Sequence, residues 1–200
     1  MEHVQRTLPK AFVLENVKGF RDSNGGRDYN EFVDRLKRIK GHDYQTEAYS
    51  ITALLLNAKD YGSPQSRLRL YFVGLRKKFM KDKNAILKHP PRVDPVSSEA
   101  CLDAKEENDD ADRVPKSQKA AENVNYALDV IRSQGNNPRV TFIFDCETSE
   151  EWRPKVFHTN HCPCLTFSRS AGLWITSRGR RMRPQECMRF QGIGNRNLER

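Results

Sequence analysis

The stretch "AFVLENVKGF" at residues 11–20 combines a strand pattern with an unexpected charge. The apolar run at 12–14 predicts the end of a buried strand, and Glu15 and Asn16 follow it directly. Burying a carboxylate without a partner costs free energy. The sequence therefore predicts that a specific partner lies against Glu15.

Composition favours a protein that binds a polyanion. The 200 residues carry a net charge of +9, and such an excess favours nucleic acid as a partner. Hydrophobic residues make up 36% of the chain and mean hydropathy is −0.81, so part of the chain is expected to be a solvated loop or insertion. The length suits one substantial domain or one and a half small ones.

The cysteines and the apolar runs bear on the compartment. The number of cysteines is five, which is odd and therefore predicts free thiols in a reducing environment. No apolar run reaches the ~18 residues that a membrane span needs, and the first ten residues lack a signal-peptide core. We expect an intracellular protein with no membrane partner, nuclear if the source is eukaryotic.

Hydrophobic periodicity predicts an alternation of strands and helices. Strands are predicted at 11–17, 44–51 and 68–75, and a helix that starts with a capping box at Asp28 and ends at Gly41 joins the first two. Further along, the patterns predict an amphipathic helix around 124–131 that stops at Gly135, a strand at 139–145, and a last helix from Pro184 to Gly192. This order is typical of the back half of an α/β domain.

Two segments have opposite charge. Seven acids and one lysine lie from Glu99 to Asp112, within a segment, 77–118, that we interpret as a charged loop or insertion. Five arginines and one acid lie from Arg178 to Arg189, and this basic segment is predicted to bind nucleic-acid phosphate.

A recognition pattern occurs in "YGSPQSRLRLYFVG" at 61–74. Gln65, Arg67 and Arg69 alternate, which would place all three on one face of a strand. Arginine suits planar, oxygen-rich targets such as a base carbonyl or a phosphate. In isolation, the pattern is more typical of an edge strand with solvated arginines.

Three motifs in order resemble the later motifs of the cytosine-5 DNA methyltransferase family: "FVLENVKGF", "YGSPQSRLRLYFVG" and "CPCLTFSRSAGLWITSRGRRMRPQECMRFQGI". The resemblance implies an α/β fold: the rear portion of a Rossmann-like, S-adenosylmethionine-dependent methyltransferase domain with mostly parallel strands, plus a small irregular target-recognition region. It also implies a segmentation into a partial catalytic domain at 1–76, the charged loop or insertion at 77–118, the target-recognition region at 119–180, and the late motif helix and chain end at 181–200.

The resemblance implies a chemistry for these motifs. Enzymes of the family flip a cytosine out of the duplex, a cysteine thiolate attacks carbon 6, and carbon 5 takes a methyl group from S-adenosylmethionine. Glu15 would hold the ring nitrogen and the exocyclic amine, helped by a pKa that burial raises, and Arg69 would contact the base carbonyl. Supporting roles would fall to Arg67 and Gln65 (the pocket and a nearby phosphate), Asn16 and Val17 (the turn), and Arg181 and Glu186 (the brace of the target-recognition region).

Two motifs of the family do not occur in these residues: the Phe-x-Gly-x-Gly cofactor loop and the Pro-Cys-Gln nucleophile. Only fourteen residues precede Glu15, and none is a cysteine. We therefore predict a fragment of a DNA cytosine-5 methyltransferase that is inactive alone, uses S-adenosylmethionine as part of a parent enzyme, and binds that cofactor poorly by itself.

Several alternatives stay open. A non-catalytic DNA-binding or regulatory module of the same fold fits the basic charge, and an RNA-methylating (tRNA) relative fits the motifs equally well. Pro163-Cys164 could be the nucleophile of a permuted enzyme, although Leu165 stands where glutamine is expected. The cluster Cys146, His158, His161, Cys162 and Cys164 could bind zinc, but it lacks paired knuckles, so we predict free thiols and no metal.

Overall fold

The computed structural model describes residues 1–42, 45–82, 87–110, 113–149, 151–156, 161–166 and 172–193. The chain divides into two compact units, which we call unit 1 (Met1–Asn57 with Leu68–Pro91) and unit 2 (Ala58–Arg67 with Arg92–Arg200). Within the described ranges, no helix has both the length and the apolar composition that crossing a membrane requires. The functional segments proposed from the sequence follow other boundaries and stay predictions.

Unit 1 is built on a three-stranded sheet in the order β1-β3-β2. The central strand, β3, is antiparallel to both neighbours, so the prediction of mostly parallel pairing is wrong. The physical reason lies in the connection between β2 and β3 at 58–67, which is too short for a crossover helix, so β3 runs back antiparallel beside β2. The longer connection between β1 and β2 at 18–48 contains a helix, and these two strands run in the same direction on either side of β3. The elements of unit 1 are α1 Glu2–Thr7, β1 Ala11–Val17, α2 Arg27–Lys37, β2 Tyr49–Asn57 and β3 Leu68–Arg76, with 3-10 turns at Lys18–Gly26 and Lys77–Phe79.

One face of this sheet forms the core of unit 1. Leu70 and Phe72 of β3 are buried there with Tyr49 and Leu36, and the Phe32 ring meets the Phe72 ring edge-on at 4.8 Å. Along β1, half-buried residues alternate with exposed ones, because no described residue covers the second face of the strand. Its residues at 13 and 17 are 62% and 52% exposed, so β1 is not the buried strand that the sequence predicted.

The ends of α2 and β2 differ from the prediction. Helix α2 begins after Gly26, whose φ of 86° suits glycine, and Asp28 accepts hydrogen bonds from Ser23 and Asn24 instead of forming a capping box. The helix ends at Lys37, before the predicted stop. β2 begins at Tyr49, later than predicted, and continues through the apolar run that follows; position 44 lies outside the described residues.

Unit 2 packs a long helix against short strands. The predicted apolar face of α4, including Val124 and Leu128, is buried against Phe144 and Trp174, and Gly135 follows the helix with a φ of 73°, as expected for a stop. The strand predicted at 139–145 is only three residues long. The elements of unit 2 are α3 Ser98–Cys101, α4 Gln118–Ser133, β4 Ile143–Asp145, β5 Leu173–Ile175, β6 Arg180–Arg181 and α5 Pro184–Phe190, with 3-10 turns at Ala58–Asp60 and Thr176–Arg178; the sheet order is β4-β5-β6.

Part of the predicted charged loop belongs to the core of unit 2. Cys101 and Leu102, at the end of α3, are buried in a cluster that includes Ile143 and Phe190. This piece of the 77–118 segment is therefore not a solvated loop, and it brings the neighbouring acids close to α5.

Candidate functional site

The partner predicted for Glu15 is Arg69. Glu15 lies opposite Tyr71 across the β1–β3 pair, and Val17 lies opposite Arg69, so Glu15 and Arg69 are diagonal neighbours on one face of the sheet. The Arg69 Nε lies 2.9 Å from the Glu15 Oε1, so the two side chains form an ion pair. The strand register thus brings together the two residues to which the sequence assigned the base contacts.

This ion pair is open to solvent on the carboxylate side. The Glu15 side chain is 43% exposed and that of Arg69 only 14%, and Arg69 Nη1 also donates to the backbone oxygen of Leu68 at 2.9 Å. The prediction of a buried carboxylate is therefore wrong, because β1 lies at the edge of the sheet and presents this face outward. The arginine is fixed, and the carboxylate can be reached by a ligand.

Asn16 and Val17 lie where β1 ends. The backbone N–H of Val17 donates to Asn16 Oδ1 at 2.8 Å, as the chain turns into the 3-10 segment that follows. This local bond is of the kind with which asparagine favours turns. It fits the predicted turn-shaping role.

Gln65 and Arg67 do not share a strand face with Arg69, contrary to the prediction. Strand β3 starts only at Leu68, and the preceding residues pair with another segment of unit 2: Gln65 forms a parallel bridge with Cys162, whose N–H donates to the Pro64 oxygen at 2.8 Å. The Gln65 side chain is buried, and its Nε2 has no hydrogen-bond partner among the described residues.

The thiols of unit 2 differ in accessibility. Cys164 is half-buried, and its Sγ lies 3.7 Å from Arg67 Nη1. Burial raises the pKa of Cys146 to about 11 and raises the pKa of Cys101, Cys162 and Cys187 as well, so these four thiols are protonated at neutral pH.

For the zinc alternative, the structure offers one observation. In the part of the chain that the structure describes, no three His, Cys, Asp or Glu side chains are grouped to hold a metal ion. One residue of the predicted cluster, His158, lies outside that part.

In the late motif, Glu186 forms its ion pair with Arg180 and not with Arg181, the arginine that the sequence indicated. Both Glu186 oxygens bind Arg180, at 2.9 Å each, whereas Arg181 binds Glu147. Successive residues of a strand point to opposite sides, so a shift of one position in β6 exchanges the two partners. Sequence reasoning missed Arg180, and a strand of two residues gives no alternation from which to find it.

Glu186 also organises the start of α5. Its Oε2 accepts the backbone N–H of Arg183 at 2.7 Å, as the N3 carboxylate of a capping box does, and its Oε1 accepts that of Asp103 at 2.9 Å. Burial acts to raise the pKa of Glu186, but the hydrogen bonds from Arg180 and from the two backbone N–H groups outweigh it, so this pKa lies below its usual value.

Acids from the predicted loop bind the three remaining arginines of this segment, Arg178, Arg183 and Arg189. We call the following set the arginine network: Arg178 with Glu99 (2.7 Å), Arg180 with Glu186, Arg181 with Glu147, Arg183 with Asp103 (3.1 Å) and Glu106 (2.7 Å), and Arg189 with Asp103. The side chain of Asp109 is only 4% exposed and lies 3.9 and 3.7 Å from the Nε atoms of Arg178 and Arg180. The charges predicted to grip phosphate are thus matched within unit 2.

The sequence of this chain is similar to a protein-family model and to known methyltransferases. A family model for the C-5 cytosine-specific DNA methylase matches residues 1–197. The chain is 38% identical over 76 residues to the type II methyltransferase M.HpaII of Haemophilus parainfluenzae, across 38% of this chain and 20% of that protein. It is 41% identical over 73 residues to M.BspRI of Lysinibacillus sphaericus, across 36% of this chain and 15% of that protein. The matches span a fifth or less of these relatives.

A solved structure shares the fold. The putative DNA modification methyltransferase encoded within a prophage of E. coli matches 95% of this chain and 61% of its own, with a TM-score of 0.52 and 20% identity. This likeness concerns the fold, and it confirms the predicted class, the rear portion of a Rossmann-like methyltransferase domain. The family model covers nearly the whole chain and contains the motifs that carry Glu15, Arg69 and Glu186. The chain therefore belongs to the C-5 cytosine-specific DNA methylase family.

Proposed function

We propose that this chain supplies the base-holding part of a DNA cytosine-5 methyltransferase, with Glu15 and Arg69 as the pair that contacts the cytosine. The observation that carries the proposal is the geometry of that pair: a fixed guanidinium 2.9 Å from a carboxylate that is 43% exposed. A carboxylate this accessible can accept a hydrogen bond from a donor on a ligand.

The two groups suit the edge of a cytosine. An ionised carboxylate only accepts hydrogen bonds, so Glu15 suits the exocyclic amine, and Arg69 donates, so it suits the base carbonyl. Thymine has a carbonyl where cytosine has the amine, and the same carboxylate would repel it. The base must leave the stack to reach these groups.

We further propose that these 200 residues do not transfer a methyl group by themselves. Neither the Pro-Cys-Gln nor the Phe-x-Gly-x-Gly motif is in the sequence, and burial keeps four of the five thiols protonated. The fifth, Cys164, is the candidate of the permuted alternative, which the same experiment tests.

One cleft of unit 1 is a poor match for S-adenosylmethionine, the cofactor of the family. This cleft of about 610 Å³ is lined by Arg76, Lys77 and Lys78, with Glu47 already bound to Lys77. The cofactor carries a sulfonium cation, which such a lining repels. We therefore assign no step of methyl transfer to this chain.

Base discrimination tests the first proposal. The 200-residue protein is titrated into fluorescent duplexes that differ in one unpaired base, cytosine or thymine, and anisotropy gives the two affinities. We expect about 10-fold tighter binding of cytosine, as one good base contact provides. Glu15→Gln should abolish the preference, while Glu31→Gln, at an exposed carboxylate in the same unit, should keep it.

Other outcomes of this titration separate the alternatives. Equal, salt-dependent binding of both duplexes would contradict base holding and favour a non-catalytic DNA-binding module. A stronger preference for cytosine in a parallel RNA hairpin would favour the RNA-methylating relative.

A transfer assay tests the second proposal. The protein is incubated with radiolabelled S-adenosylmethionine and cytosine-containing duplex, and separately with a duplex carrying 5-fluorocytosine, which traps the covalent intermediate. We expect neither labelled DNA nor a trapped complex. Turnover that Cys164→Ser removes would establish the permuted enzyme instead.

A further inference from the structure

The N-terminal end of α4 opens onto a cleft of about 720 Å³ in unit 2, which we call the α4 cleft. Among the described residues, its lining includes four cations and no carboxylate. The lining residues that matter here are Arg113, Lys116, Ser117, Trp174, Arg180 and Arg181.

The helix end makes this cleft suitable for an anion. Helix α4 is 16 residues long, its N-cap residue Ser117 makes no side-chain capping bond, and its first turn contains no acid. The first N–H groups of a helix have no intrahelical acceptor, and the helix dipole places positive charge at that end. Such an end binds phosphate readily.

A buried donor in the same lining gives an independent indication. Trp174 is 3% exposed and packs on α4, yet its indole Nε1 is buried with no hydrogen-bond partner among the described residues. A buried donor left without an acceptor destabilises the fold. An acceptor in the α4 cleft would remove that destabilisation.

The cations of the α4 cleft have different duties. Arg180 and Arg181 are bound to Glu186 and Glu147, so they are held in place. Lys116 is exposed and has no carboxylate partner in the part of the chain described. Arg113 donates to the backbone oxygen of Asn108 at 2.8 Å, so its guanidinium is also held. Lys116 is therefore the cation that can move to neutralise a bound anion.

We propose that the α4 cleft binds a phosphate group, with the α4 N-terminus, the Trp174 indole N–H and the Lys116 ammonium as its donors. The phosphate could belong to a free nucleotide or to a nucleic-acid strand, since both present the same oxygens. The proposal does not depend on the role of Glu15 and Arg69, which lie in unit 1.

Trp174 itself can report the binding. The chain has two tryptophans, and the other, Trp152, is 70% exposed, so Trp152→Phe leaves Trp174 as the sole indole at little cost to packing. Inorganic phosphate is titrated into the ¹⁵N-labelled variant, against sodium chloride of equal ionic strength. We expect a saturable downfield shift of the indole proton with phosphate alone, because the N–H gains an acceptor. An indole resonance that phosphate leaves unmoved would overturn the proposal.

Matched charge reversals locate the site. In the same background, Lys116→Glu should weaken phosphate binding about 10-fold, whereas Lys88→Glu, an exposed lysine of unit 1, should change it less than about 2-fold. Equal weakening by both would show a non-specific charge effect and overturn the site. Titrations with AMP and with a short duplex then distinguish the source: the tighter of the two, if it loses affinity in Lys116→Glu, identifies the ligand class.

Discussion

Two glutamate–arginine pairs in the described part of the chain have the same nitrogen–oxygen distance, 2.9 Å, but lie in very different surroundings. Glu15 of unit 1 is 43% exposed, whereas the side chain of Glu186 in unit 2 is fully buried. Glu186 also accepts two backbone N–H groups. Burial and the number of donors, not distance, distinguish a pair that holds the fold from one that stays available to a ligand.

Removing Glu186 should have the largest effect. Glu186→Ala leaves the Arg180 guanidinium buried without its main partner and removes the acceptor at the start of α5, so we expect a loss of about 3–5 kcal/mol in the free energy of unfolding. Urea denaturation followed by tryptophan fluorescence measures it, because both tryptophans lie in unit 2. Glu107→Ala, at an exposed acid, is the control and should change stability by less than about 0.5 kcal/mol. A loss below about 1 kcal/mol would show that the buried pair is dispensable.

Asp103 tests a half-exposed member of the arginine network. Its carboxylate binds both Arg183 and Arg189, and its side chain is 31% exposed. Asp103→Ala should therefore cost roughly 1–2 kcal/mol, between the buried and the exposed extremes. The same urea titration measures it; a cost as large as that of Glu186→Ala would mean that exposure does not rank these pairs.

Acid should weaken the arginine network gradually. Burial acts to raise the pKa of Glu99, Asp103 and Glu186, but arginine hydrogen bonds outweigh it and hold each below its ordinary value of 4.5 for Glu or 3.8 for Asp. Groups with a lowered folded-state pKa stabilise the fold above their unfolded pKa and lose that contribution as pH falls through the folded one. Urea midpoints of unit 2 should thus be constant from pH 7 to about 5 and fall below about pH 4.5. Solvent screening makes the contribution of Glu99, which is 48% exposed, smaller than that of the buried Glu186. A midpoint that is unchanged at pH 3.5 would contradict this account.

Glu15 should matter least for stability. Glu15→Gln keeps the size of the side chain and removes only an exposed charge, so the free energy of unfolding should change by less than about 0.5 kcal/mol. Circular dichroism is the suitable probe, because unit 1 contains no tryptophan. Together with a lost preference for cytosine, this result would show that Glu15 acts in binding and not in stability. A loss above about 2 kcal/mol in the free energy of unfolding would instead show a structural role.

Local features of the fold were predictable from the sequence. Pro184 stands at the first position of α5 and Gly192 follows it with a φ of 74°, as the helix rules require. The bounds of β1 and the buried face of α4 also follow from short-range periodicity. The chain direction of β3 was predicted wrongly, because pairing depends on the loop at 58–67 and on no pattern within the strand.

The arginine network shows why part of the site escaped prediction. Its hydrogen bonds to the side chains of Glu99, Asp103 and Glu106 join residues 77 to 86 positions apart, such as Arg183 with Glu106 and Arg189 with Asp103. The sequence displays the opposite charges of the two segments but no register that would pair them. By contrast, the Glu15–Arg69 pair was found because each residue belongs to a motif of its own.

Because of where the cysteines lie, their chemical modification can report the unfolding of unit 2. All five thiols lie in unit 2, and only Cys164 is half-buried rather than buried. A thiol reagent should therefore modify one cysteine quickly in the native protein and the other four only as unit 2 opens. Mass spectrometry of the labelled chain then reads the unfolding of unit 2 molecule by molecule, without a signal from the sheet that carries Glu15.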